Sequence, residues 1–93
     1  MTKNTPNLIE LRKEGLYCQS ADVWIDPSKP VKTAIITHAH FDHIALGCGE
    51  YITTIETSLL LKKRIGKKIK VKTYNYDENF FISGVKFSFF PSG

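Results

Sequence analysis

All three histidines of the chain fall within one six-residue segment, His38-Ala39-His40-Phe41-Asp42-His43, with an aspartate among them. A metal ion explains such clustering. Imidazole nitrogens and a carboxylate oxygen suit Zn²⁺, and Mn²⁺ or Fe accept the same donors. In an extended segment, side chains at i and i+2 point the same way with Cα atoms about 6.6 Å apart, so His38 and His40 can converge on one ion. Asp42 and His43 are adjacent, and a turn that brings both to a common point would let them hold a second ion beside the first. Two ions about 3.5–4 Å apart lower the pKa of a bridging water and clamp both oxygens of a displaced phosphate. The bland alternative is a loop cluster that binds metal only adventitiously. The spacing, directly after an apolar strand, favours a built site.

The elements that must position this segment are legible on either side of it. Thr33-Ala34-Ile35-Ile36-Thr37 is a run of strand formers leading straight into the histidines, and Gly47 and Gly49 close the loop that follows. Upstream, Leu8-Ile9-Glu10-Leu11 and Gly15-Leu16-Tyr17-Cys18 read as strands around a turn at Lys13-Glu14-Gly15. Val23-Trp24-Ile25 is a third strand, stopped by the loop Asp26-Pro27-Ser28-Lys29-Pro30. Downstream, Glu50-Tyr51-Ile52-Thr53-Thr54 is a strand, and Thr53 with Glu56 has capping-box spacing ahead of a helix from Ile55 to Ile65. In that helix Ile55, Leu59 and Leu60 mark an apolar face, and Gly66 is a natural stop.

Lys68 to Tyr74 alternates charged and apolar residues as a half-buried strand does. Phe80-Phe81-Ile82, Ser83-Gly84 and Val85-Lys86-Phe87-Ser88-Phe89 predict a hairpin with a two-residue turn. Roughly seven strands and one helix predict an α/β fold of layered α+β type: one mixed sheet with a single covering helix. Phe80, Phe81, Phe87, Phe89 and Phe90 are too many rings for a hairpin to bury alone. Either the helix covers them, or a partner layer lies outside this sequence.

Ninety-three residues suffice for one small domain. No apolar run approaches the ~20 residues that span a bilayer, and the polar start Met1-Thr2-Lys3-Asn4-Thr5-Pro6 lacks the apolar core of a signal peptide, so the expected location is cytoplasmic with no membrane partner. Cys18 and Cys48 match no metal-finger spacing and are expected as free thiols. Cys48, five residues past His43, is either metal-adjacent or simply a small buried residue. The net charge is +4, and seven of the thirteen basic residues lie between Lys62 and Lys72, with no acidic residue among them. Such a patch draws polyanions through counterion release, or is an ordinary solvated surface.

His-x-His-x-Asp-His after a strand resembles the signature of the metallo-β-lactamase superfamily. The likeness extends through Gly15-Leu16-Tyr17-Cys18, Trp24-Ile25-Asp26-Pro27, Pro30-Val31, Ile36-Thr37-His38-Ala39-His40 and Thr54-Ile55-Glu56-Thr57. Together these are similar to the opening of the ligase-associated DNA exonucleases, also described as mRNA 3′-end processing factor-like proteins. The resemblance runs from about residue 8 to Gly93. It implies that residues 1–93 are the N-terminal half of an αββα sandwich. It also implies a first metal on His38 and His40, a second on Asp42 and His43, and a catalytic role for Asp42 and His43. Asp26 matches the family's first motif, which implies that it orients the histidine loop by hydrogen bonds without touching metal; the other reading is an aspartate that starts a turn before Pro27.

The implied activity is metal-dependent phosphodiester hydrolysis, with two zinc ions and a metal-bound hydroxide as nucleophile. DNA is favoured over RNA as substrate, and Lys62, Lys63, Arg64, Lys67 and Lys68 would contact its backbone. Association with a DNA ligase and a helicase is implied by the resemblance alone. An RNA-processing nuclease, or a glyoxalase II-like thioesterase on the same fold, are the alternatives. The family pattern also needs a further histidine for the first metal, a bridging aspartate and a late histidine for the second, and His43 is the last histidine here. The chain is therefore expected to be a truncated piece, catalytically inactive or nearly so by itself, and prone to self-association through uncovered sheet surface.

Overall fold

The computed structural model describes residues 9–37 and 44–90. Among them the order is β1 (Ile9–Arg12), β2 (Gly15–Cys18), β3 (Val23–Ile25), β4 (Thr33–Ile35), β5 (Glu50–Thr53), α1 (Ile55–Ile65), β6 (Val71–Thr73), β7 (Phe80–Ile82) and β8 (Val85–Phe87). The class is α+β. A mixed six-stranded sheet runs in sequence order from β1 to β6, and β7 and β8 form a separate hairpin. The strands β1, β2 and β3 pair antiparallel, whereas β3, β4, β5 and β6 pair parallel.

Alternation along the parallel strands divides the core in two. Ala34 on β4 and Tyr51 on β5 are register partners and face α1, where they meet Ile36 and Leu61. Ile35 and Ile52 are likewise partners, on the opposite face, where they meet Cys18, Val23, Phe80 and Phe89. Fully burying an aliphatic side chain such as Ile36 or Leu61 contributes roughly 1.5–3 kcal/mol. Val31, Ile44 and Cys48, from the two other crossovers, pack on the α1 side as well. The described residues of all three connections that pack on the sheet thus do so on one face, as a sheet growing in one direction with crossovers of one hand requires. The hairpin covers the other face.

The phenylalanines find their cover there. Phe80 stacks on Tyr74 at 4.0 Å between centroids and lies within 5.6 Å of Phe87 and 5.5 Å of Phe89. The aromatic layer therefore closes on the sheet through the hairpin itself, while Phe81 and Phe90 remain exposed. The hairpin turn is the expected Ser83-Gly84, with φ of 51° and 82°, the left-handed pair that matches strand twist.

Several boundaries differ from expectation. Leu8 lies outside the described residues, and β1 starts at Ile9. Strand β4 ends at Ile35, although the Ile36 amide still donates to Ile52 O at 2.9 Å. Strand β6 is confined to Val71–Thr73, because Lys67 and Lys68 belong to the turn after α1. Strand β8 stops at Phe87, and Phe89 bridges to Tyr76 instead.

The helix spans the expected residues, but its cap and buried face differ. Thr54 is the N-cap, accepting the Thr57 amide at 3.4 Å, because the Thr53 hydroxyl is engaged elsewhere. Glu56 therefore sits one position too early to close a capping box. The buried face is Thr57, Ser58 and Leu61, whereas Ile55, Leu59 and Leu60 are exposed. No helix among the described residues is long and apolar enough to cross a membrane.

Candidate functional site

The four expected metal ligands, His38, His40, Asp42 and His43, lie outside the described residues. The structure does describe the residues that flank them. Because β3, β4, β5 and β6 are parallel, their carboxyl ends share one edge: Asp26 after β3, Ile36 and Thr37 after β4, and Thr54 after β5. Open parallel sheets take ligands outside this edge. Thr37, at this edge, precedes His38 in the sequence, and the described residues resume at Ile44.

Asp26 is bound to Thr37 by two hydrogen bonds. Its Oδ1 accepts the Thr37 amide at 2.9 Å, and its Oδ2 accepts the Thr37 hydroxyl at 2.5 Å. The Asp26 amide donates to Ile35 O at 2.8 Å, and the residue adopts a left-handed φ of 47°, which aspartate tolerates better than most side chains. Both carboxylate oxygens of Asp26 are thus engaged by the residue that precedes His38. This excludes the plain turn-former reading as a full account, since an aspartate that merely starts a turn bonds its own local backbone.

Strand β5 supplies the remaining contacts. The Thr53 hydroxyl donates to Ile36 O at 2.8 Å. The Tyr51 hydroxyl donates to Ala45 O at 2.5 Å and accepts the Cys48 amide at 3.4 Å. Burial raises the Tyr51 pKa above 10.0, partly offset by the Cys48 amide, whose hydrogen bond favours the phenolate. Cys48 is half-buried and unoxidised, with its Sγ 3.7 Å from Ala45 O; Cys18 is free and buried. Gly49 closes the loop against β4, where a Cβ would stand 2.7 Å from Lys32 O.

In the sequence alone Asp26 stands out as a support, whereas Thr37, Tyr51 and Thr53 do not: Thr53 has only a capping signal, and Tyr51 only a strand signal. A hydroxyl that seeks a backbone carbonyl many residues away leaves no spacing pattern to read.

The expected nucleic-acid residues lie elsewhere. Helix α1 starts beside the carboxyl edge and runs away from it for about 16 Å at 1.5 Å per residue. Lys62, Lys63 and Arg64 occupy its last turn, and Lys67 and Lys68 the turn beyond. Lys70 pairs at 3.9 Å with Glu50, the first residue of β5, which marks this as the amino edge of the parallel strands. The basic stretch and the Asp26–Thr37 contact therefore sit at opposite edges of the sheet.

Among the described residues, no three His, Cys, Asp or Glu side chains group closely enough to hold a metal ion. The donor set of segment 38–43, three imidazoles and a carboxylate, fits zinc by its chemistry. Each oxygen of Asp26 accepts one hydrogen bond from Thr37. No known protein family, curated protein or solved structure matches this chain.

Proposed function

We propose that the chain carries the ligand loop of a metal-dependent phosphodiester hydrolase of metallo-β-lactamase type, with zinc held by His38, His40, Asp42 and His43 and DNA as the preferred substrate. The observation that carries this reading is the pairing of the ligand-rich segment with its flanks. The six-residue segment that holds every histidine of the chain follows directly on Thr37, a residue held by both oxygens of Asp26 at the carboxyl edge of the parallel strands. A bound zinc would supply Lewis acidity and bring the pKa of a coordinated water toward neutrality. The chain's own contribution is to present the four donors and to fix where their segment begins. Asp26 does the latter through Thr37.

The net charge of +4 favours a polyanionic substrate over a neutral thioester or lactam. The separation of the basic stretch from the carboxyl edge means that one DNA strand must cross α1 to reach both. Four donors shared between two ions leave each with two, fewer than the three protein ligands of a typical catalytic zinc. The 93-residue chain alone should therefore bind metal weakly and turn over little or nothing.

The test is cleavage of matched DNA and RNA strands by the 93-residue chain and by any longer chain that contains it. The longer chain should cleave DNA faster than RNA, lose activity to a chelator and regain it with zinc. Faster cleavage of RNA would replace DNA by RNA as substrate. Hydrolysis of thioesters or lactams without any cleavage of nucleic acid would overturn the reading.

A further inference from the structure

We infer that Tyr51 and Thr53 of β5 are positioning residues that set the span of the histidine loop, holding one flank each. The inference rests on the metal reading for its functional consequence, though the grip itself is independent of it. The two side chains lie two residues apart on one strand and so face the same way, with Cα atoms about 6.6 Å apart. Both residues are 0% exposed. Thr53 donates to Ile36 O, two residues before His38, and Tyr51 donates to Ala45 O, two residues after His43. Tyr51 also receives the Cys48 amide, so both its contacts fall on the returning arm of the loop.

A buried tyrosine ordinarily finds some partner for its hydroxyl, and a structural role would be met by any acceptor. Here the acceptors are the two flanks of a single segment, and one rigid strand supplies both donors. The spacing of the loop's ends is thereby tied to the rise of β5. Asp26 acts separately, from β3, on Thr37.

Removing either hydroxyl while keeping side-chain volume isolates the grip. Tyr51→Phe, Thr53→Val and the double substitution would be compared with Ser58→Ala. Ser58 is also buried, but its hydroxyl donates at 2.7 Å to Ile55 O, inside the helix. Two readouts serve: amide hydrogen exchange at Leu46, Gly47 and Cys48, and the affinity and visible spectrum of Co²⁺ bound to the chain. Tyr51→Phe should speed exchange at these amides about tenfold and weaken Co²⁺ binding about tenfold, the lower end for supports of metal ligands, with an altered spectrum. Thr53→Val should weaken Co²⁺ binding similarly, Thr53→Ser should restore it, and Ser58→Ala should change neither readout.

Wild-type exchange rates together with a wild-type cobalt spectrum in the double variant would overturn the inference. If the unsubstituted chain binds no cobalt, the metal reading fails, and the exchange rates alone decide the grip. Should Thr53→Val not fold, the Tyr51→Phe comparison decides it.

Discussion

Asp26 and Thr37, eleven residues apart, are joined twice, through amide and hydroxyl, to the two oxygens of one carboxylate. Hydrogen bonds to a charged acceptor contribute roughly 1.5–3 kcal/mol when buried and less at an exposed site such as this one. Asp26→Ala should therefore cost about 1–2 kcal/mol in urea unfolding. Asp26→Asn, which retains an acceptor and tolerates the left-handed backbone, should cost less. Thr37→Val combined with Asp26→Ala should be non-additive by about 0.5 kcal/mol or more, as contacting residues are. Strict additivity would show that the contact does not hold in solution.

The phenol of Tyr51 supplies a pH signature. Its folded pKa is raised above 10.0 chiefly by burial, so the folded state keeps a proton that the unfolded chain releases first. The contribution is complete below pH 10.0 and is lost as pH rises through the raised folded value. The stability advantage of the wild type over Tyr51→Phe should thus stay constant at pH values well below 10.0 and shrink as pH rises above 10.0. Parallel stability curves across the whole range would contradict the burial of this hydroxyl.

Phe80 is the centre of the hairpin layer, 4% exposed and ringed by Tyr74, Phe87 and Phe89. Phe80→Ala should cost about 3–5 kcal/mol, a large share of the ~5–15 kcal/mol that holds a small domain together. Phe81, its 64% exposed neighbour, should tolerate Ala within about 0.5 kcal/mol. Thermal unfolding of the two variants checks both values. Equal effects would mean that the hairpin does not dock with Phe80 inward.

The basic stretch should act on nucleic acid without acting on metal. Reversing Lys62, Lys63, Lys67 and Lys68 to Glu should weaken DNA binding. It should also flatten the dependence of log K on log salt by roughly 0.9 for each phosphate no longer neutralised. Zinc affinity should not move, because these residues sit at the amino edge of the parallel strands. Titrations of DNA at several salt concentrations, beside a metal titration, separate the two effects. An unchanged salt slope would remove the stretch from the interface.

Much of this architecture is legible in the chain, for identifiable reasons. Ser83-Gly84 between apolar runs marks its hairpin because few residues accept two successive left-handed angles. Gly66 marks the end of α1, and the helix limits follow. The face of α1 is not legible: the apolar spacing of Ile55, Leu59 and Leu60 points to one side, while the fold buries Thr57, Ser58 and Leu61. The destination of the phenylalanines is hidden too, because a hairpin folding back over its own sheet is a long-range event. At the site, Asp26 is visible beside Pro27, but the roles of Tyr51 and Thr53 depend on carbonyls that only the fold brings near.

The central claim, that residues 38–43 hold metal, is tested most directly by titrating zinc against the 93-residue chain in competition with a chromophoric chelator. The account predicts weak binding, at micromolar dissociation constants or above, on the order expected for an incomplete ligand set. That binding should fall at least about tenfold in His38→Ala, His40→Ala, Asp42→Ala and His43→Ala taken singly. Zinc binding of equal strength in a chain with all four positions substituted, or none in the wild type up to millimolar zinc, would contradict it.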